Sequence, residues 1–213
     1  MEAQQLSTRE RLLLVAEDLF ARNGFAGTSL REIGTALGIA NASIMYHFPS
    51  KKKLYAAVLG RIADSVRPVS EDLTGDAGDA VERIHLTVDR FLDWGEAHPG
   101  YLRLLLRELM ENPDRLSGVR TLYLAGVVDA MRRPLDQARQ EGLLPDIDPG
   151  LFLLHLIGSV TYFIIAEPTV IRITNTPDAD ALRRRFRKVL HQIIVACLAA
   201  GPAAHAPSGG GVK

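Results

Sequence analysis

Six side chains in the first quarter of the chain, Thr28, Ser29, Asn41, Ala42, Ser43 and Lys51, have the types and spacing to hold a polyanion and read it. Thr28 stands at a helix start, where a hydroxyl and unpaired backbone amides can meet a phosphate, and Ser29 stands beside it. Lys51 opens a later helix and sets a cation beside a similar cluster of amides. Asn41, Ala42 and Ser43 begin a short helix, and their amide, methyl and hydroxyl groups suit base edges and thymine methyls. Catalysis lacks parts: the chain has no glycine-rich phosphate loop, His-Glu-x-x-His, cysteine pair or glycine-flanked serine nucleophile. It is expected not to be an enzyme, and to need no metal and no cofactor.

The elements that must position these groups read as helices. Ser7 and Glu10 have capping-box spacing, and Leu12, Ala16, Leu19 and Phe20 mark one face of a helix stopped by Asn23-Gly24. Ser29 and Glu32 repeat the device for a second helix carrying Leu30, Ile33 and Leu37, which Gly38 ends. A third runs from about Ala42 to Phe48 before Pro49, and Ser50 caps a fourth presenting Leu54, Val58, Leu59 and Ile62 up to Pro68. A helix as short as the third buries little surface, so a bundle gains nothing from it. Two short helices across a tight glycine turn are the form of a helix-turn-helix, whose second helix enters the major groove. The local charge agrees, because Arg31, Lys51, Lys52, Lys53 and Arg61 face only Glu32 between positions 28 and 61.

The run Thr28-Ser29-Leu30-Arg31-Glu32-Ile33 to Gly38-Ile39, followed by Ile44-Met45-Tyr46-His47-Phe48-Pro49-Ser50-Lys51 and Leu54, resembles the TetR family signature over about residues 8–60. The resemblance implies a DNA-binding transcriptional regulator, most often a repressor, that acts as a homodimer on palindromic double-stranded operator DNA and is released by a small, largely apolar effector. It adds Tyr46 and His47 as residues that reach the DNA backbone or bases, while Ile44, Phe48 and Leu54 belong to the small core. Two departures stand out. Met45 occupies a position where an aromatic is frequent, and Ala40 one where serine or threonine often caps, so Asn41 is expected to take over capping. Alternatives are an activator of the same fold, or a helical dimeric adaptor with a degenerate helix-turn-helix.

The remaining chain reads as a helical body, with helices over about 81–98, 102–112, 114–141 (with Pro134 expected to bend or split it), 148–166 and 176–201. The fold class is therefore all-α with about nine helices: a DNA-binding domain at 1–50, a connecting helix at 51–67, a ligand-binding and dimerisation domain at 68–201, and a disordered tail at 202–213. Trp94, Tyr101, Tyr123, Met131, His155 and Tyr162, with Leu105 and Val127, are candidate pocket-lining side chains, apolar or adaptable with a few polar ends. The resemblance puts dimerisation on the last two helices, and Phe152, Leu156, Val160, Phe163, Phe186, Leu190 and Ile194 are the candidates. An ordinary core explains the same apolar pattern.

Lys and Arg number 25 against 25 Asp and Glu, so only the distribution of charge is informative. Apolar runs are expected to break before the roughly 18 residues of a membrane span, and no export signal is read at the N-terminus, which places the protein in the cytoplasm without a membrane partner. The single cysteine, Cys197, is expected to be a packed thiol.

Overall fold

The computed structural model describes residues 6–71, 78–111, 121–144, 147–175 and 178–199. Within them lie ten helices and no strand. They are α1 (Thr8–Asn23), α2 (Leu30–Leu37), α3 (Asn41–His47), α4 (Lys51–Val66), the single turn α5 (Pro68–Glu71), α6 (Ala80–Ala97), α7 (Pro99–Glu111), α8 (Thr121–Gln140), α9 (Pro149–Thr174) and α10 (Ala179–Ala199). The expected beginning of α8 at 114 and the tail beyond 201 lie outside the described residues.

Local chemistry sets the first boundaries. Complete capping boxes open α1 (Ser7 with Glu10) and α2 (Ser29 with Glu32), satisfying amide groups that a helix start leaves without intrahelical partners. Gly38 takes the left-handed conformation at φ 67°, so Ile39 N–H can reach back to Gly34 O at 3.0 Å and the chain can turn into α3. Two expectations about proline and length change. Pro134 lies inside α8 without splitting it. α9 runs past the expected stop near Ala166, through Pro168, to a left-handed Asn175 cap. Its run from Pro149 to Ala166 carries no charged residue, so α9 is, by length and composition alone, apolar enough to cross a membrane, against the expectation of shorter runs.

The chain divides into two compact units, Met1–Pro68 with Trp94–Val127, and Val69–Asp93 with Val128–Lys213. This differs from a division at Pro68 alone, because α7 and the last turn of α6 go with the first unit. There α7 packs on α1, and two buried carboxylates tie it to α1 and α4. Glu17 meets Arg61 Nε at 2.7 Å and accepts from Tyr101 Oη at 3.0 Å, while Glu108 accepts from Tyr55 Oη at 2.6 Å. Burial pushes the Glu17 carboxyl above its usual range and Arg61 opposes the shift. Phe20, Phe25 and Tyr55 form an aromatic cluster, with Tyr55 4.9 Å from each of the other two rings.

In the second unit α6, α8 and α9 close around a cavity of only about 10 Å³, scarcely room for one water molecule, with Ile84, Val88, Phe91, Met131, Leu135 and Leu156 in its wall. A polar cluster joins α6 to α10. His85 and His191 stack at 4.6 Å with Nδ1 facing Nδ1, and Asp89 accepts from Arg187 Nη1 at 2.8 Å and lies 2.9 Å from His191 Nε2. Burial, then the neighbouring His191, holds His85 below the ordinary imidazole value of 6.5. The unfolded chain therefore takes up this proton more readily than the folded one, so the stability is complete above the unfolded value and falls as pH drops through it. Thermal melts from pH 7.5 to 5.5 are expected to show a falling midpoint, and His85→Gln to flatten that dependence.

Candidate nucleic-acid interface

α3 is a short rod with two unlike sides. Ile44 is fully buried and Phe48, just past its end, is 4% exposed, so these two anchor it. Asn41, Ala42, Ser43, Met45 and Tyr46 all face outward, and Tyr46 is 86% exposed, with its ring 5.1 Å from the half-buried His47. A large phenol left in water on a helix so small has no packing role in this chain. Ala40 caps α3 without a side-chain hydrogen bond, and Asn41 is the first helical residue. Asn41 thus does not take over capping, and its amide stays with the outward set. Met45 is the residue that sequence reasoning left out. Its signal was an apolar side chain one turn on from Asn41 and Ala42 on an otherwise polar face.

α2 braces this rod at close range. Gly34 is buried, and a Cβ on it would come within 2.9 Å of Ile39 O and 3.2 Å of Ile44 Cδ1. Glycine is what permits this approach of α2 to the turn and to the anchor of α3.

Two expected phosphate ligands are differently occupied. Thr28 is 1% exposed, and its hydroxyl donates to Gly24 O at 2.9 Å and to Leu19 O at 3.2 Å. It closes the corner between α1 and α2, so its hydroxyl is not presented to a phosphate. Lys51 Nζ donates to Phe25 O at 2.7 Å and Thr28 O at 2.9 Å, and it lies 4.4 Å from the Phe25 ring centroid. Ser29 is exposed, but its hydroxyl accepts from Glu32 N–H in the capping box, and the Ser29 hydrogen bonds hold the Glu32 carboxyl below its usual range. Arg61 turns inward to Glu17. The outward positive charge of this region is therefore that of Arg31, Lys52 and Lys53, fewer than the sequence count suggested.

Residues 12–58 match the family described as bacterial regulatory proteins, tetR family. The chain is 28% identical over 176 residues to the HTH-type transcriptional regulator RutR of Escherichia coli K12, covering 81% of each protein. Residues 12–58 thus form a DNA-binding domain of the TetR type. The chain is also 29% identical over 199 residues to the HTH-type transcriptional repressor SCO4008 of Streptomyces coelicolor, covering 88% of this chain and 95% of that one. A tetR-family regulatory protein from Rhodococcus RHA1 shares the fold with a TM-score of 0.72 at 16% identity, over 89% of this chain and 98% of that one. With this TetR-type head, the protein is a DNA-binding transcriptional regulator.

The residues expected to line a pocket are divided between the two units, with the rings of Trp94 and Tyr101 6.4 Å apart in the first. Trp94, Tyr101, Leu105 and Val127 belong to the first unit, where the Trp94 indole donates to Ser65 Oγ at 3.1 Å and Tyr101 is engaged by Glu17. Met131 lies in the wall of the second unit's cavity. His155 and Tyr162 stand on the outer face of α9, with Tyr162 74% exposed, and cannot line an interior. The side chain of Tyr123 lies outside the described residues.

Most of the dimerisation candidates turn inward. Phe152, Leu156, Val160, Leu190 and Ile194 are all buried within the chain's own core, and Phe163 and Phe186 stack on one another at 3.9 Å. α9 is apolar around most of its circumference, so its inner stripe could not be told from its outer one by residue type. Outside are Leu151, Leu154, His155, Gly158 and Tyr162 on α9, with Val189, Ile193 and Val195 exposed on α10. Cys197 is half-buried.

Proposed function

We propose that this protein is a repressor that binds a palindromic operator as a homodimer and lets go when a small apolar effector enters its second unit. The observation that carries the reading is the outward set on α3, with Asn41, Ala42, Ser43, Met45 and Tyr46 exposed and Ile44 and Phe48 anchoring the reverse side. Asn41 and Ser43 supply hydrogen bonds to base edges, Ala42 a contact for a thymine methyl, and Tyr46 and His47 reach the backbone or adjacent bases.

Dimerisation is supported by surface that a lone chain has no reason to expose. Leu154 is 64% exposed, Leu151 and Tyr162 lie on the same side of α9, and a Cβ on Gly158 between them would meet nothing within 4 Å. Two such faces brought together by a two-fold axis bury this apolar stripe, and glycine lets the backbones approach. The same burial answers the membrane-span composition of α9 without a bilayer.

For the effector, the cavity of the second unit offers hydrocarbon on nearly every side. Its one polar side chain, Thr87, already donates to Arg83 O at 2.7 Å. A neutral, mostly hydrocarbon molecule fits that chemistry, and a charged one would lose its hydration without replacement. Repression is lifted by linkage, because an effector that favours dimers with wrongly spaced recognition helices must weaken binding to half-sites about 34 Å apart.

Selection of bound duplexes from a random DNA pool tests the reading. A palindrome is expected, with affinity for it falling steeply as salt rises and dropping for Tyr46→Ala and Asn41→Ala. No enrichment at any salt concentration rules out a DNA reader, and a non-repeated site rules out two-fold recognition.

A further inference from the structure

We infer that Lys51 is a positioning residue for operator binding, a clasp that closes the helix-turn-helix on itself instead of a ligand for phosphate. Its ammonium takes the carbonyls of Phe25 and Thr28 at 2.7 and 2.9 Å, across 26 and 23 residues of chain, and lies 4.4 Å from the Phe25 ring centroid. Those carbonyls belong to the corner that leads into α2, while Lys51 itself is the first residue of α4, directly after α3 and its Pro49-Ser50 exit. One side chain therefore pins the segment just before α2 to the segment just after α3. Everything between, including the outward set on α3, lies inside the closed loop.

The chemistry of the site favours this role. Carbonyls that converge at a corner need donors, and Thr28 Oγ1 already serves those of Leu19 and Gly24. An ammonium has three N–H groups, of which two are spent on carbonyls. Lys51 is half-buried, whereas Lys52 and Lys53 beside it are exposed. The ring of Phe25 is itself held in the cluster with Phe20 and Tyr55, so the clasp is fastened to the core of the first unit. Bonds from a charged donor to carbonyls screened from water are the stronger kind.

Counterion release separates a clasp from a phosphate ligand. Removing a cation that neutralises one phosphate lowers the slope of log affinity against log salt by about 0.9, whereas a shift in geometry leaves the slope alone. The inference rests on the DNA-reading proposal, and the probe is the duplex enriched from the random pool. Lys51→Met is expected to bind that duplex about tenfold or more weakly at a temperature where it is fully folded, as suits the loss of two charged-donor hydrogen bonds, with its salt slope as in the parent. A residue that merely adds stability would leave affinity unmoved under those conditions. Lys51→Arg, which keeps charge and donors, is expected to recover most of the loss, and Lys53→Met serves as the exposed-lysine control. A slope reduced by about 0.9, or an unchanged affinity, overturns the inference. The parent protein supplies a measurement that needs no variant. The Lys51 ammonium is expected to give an exchange-protected ¹⁵Nζ resonance before any DNA is added, and to keep its shift when the duplex is bound. An unprotected ammonium in the free protein overturns the clasp even if no duplex is ever enriched, and so distinguishes its failure from failure of the DNA reading.

Discussion

Leu154→Asp is expected to leave the protein monomeric at micromolar concentration and to weaken operator binding by about a hundredfold to ten-thousandfold, the range that linking two recognition events contributes. Leu154 lies 64% exposed on the stripe of α9 that also carries Leu151, Gly158 and Tyr162. In a two-fold interface every substitution occurs twice, so two carboxylates would have to be buried without partners. Because the site faces outward, the isolated chain gives up little packing, and helicity and melting of the monomer should stay close to those of the parent. Sedimentation velocity reads the oligomeric state, and titration of the enriched duplex reads the affinity. A dimer that persists with full affinity would remove α9 from the interface. The same substitution at Leu156, which is 2% exposed, should instead unfold the protein, and the contrast separates outer from inner stripe.

Gly34→Val is expected to abolish recognition of the operator while leaving the second unit folded. The first carbon added would lie 2.9 Å from Ile39 O, a backbone atom that cannot swing away, and 3.2 Å from Ile44 Cδ1, the anchor of α3. A branched side chain adds two more carbons to that clash. Overpacking of this kind costs about 1–3 kcal/mol, and here relief requires moving the turn that carries the reading helix. Gly34→Ala should lie between the two proteins. Duplex titration measures the loss, and hydrogen exchange of α1 to α4 against α9 and α10 shows where it acts. Operator affinity within threefold of the parent for Gly34→Val would mean that α2 does not brace α3 as tightly as described.

The head of the molecule was legible because its boundaries are written in single residues. Ser7, Ser29 and Ser50 open helices, Gly24 and Gly38 end them, and Ile33, Ile44 and Leu54 alternate with polar neighbours at helical spacing. Side-chain direction at the corners was not legible. Thr28 and Lys51 have the right types for phosphate contact, and only the fold shows that converging carbonyls take them first. The same holds for Arg61, whose charge is matched by Glu17, far away in sequence. In the body the obstacle was different. Nearly every position of α9 up to Ala166 is apolar, so periodicity could not say which stripe turns inward, and the inner Phe152, Leu156 and Val160 read the same as an outer one. Aromatic residues on different helices suggested a shared pocket, yet Trp94 and Tyr101 build the first unit and Tyr162 faces solvent.

For the proposed release by an effector, the tightness of the second unit has a consequence for the tempo of induction. A void of about 10 Å³ admits no molecule of effector size, so an effector taken up there as proposed would have to wait for the helices around Met131 and Leu135 to part. Uptake should then level off at high effector concentration, at the frequency with which the helices open spontaneously, and the apparent affinity should be diminished by the rarity of that opened form. Substitutions that thin the wall, such as Met131→Ala, would quicken the response and sharpen sensitivity at the expense of thermal resilience.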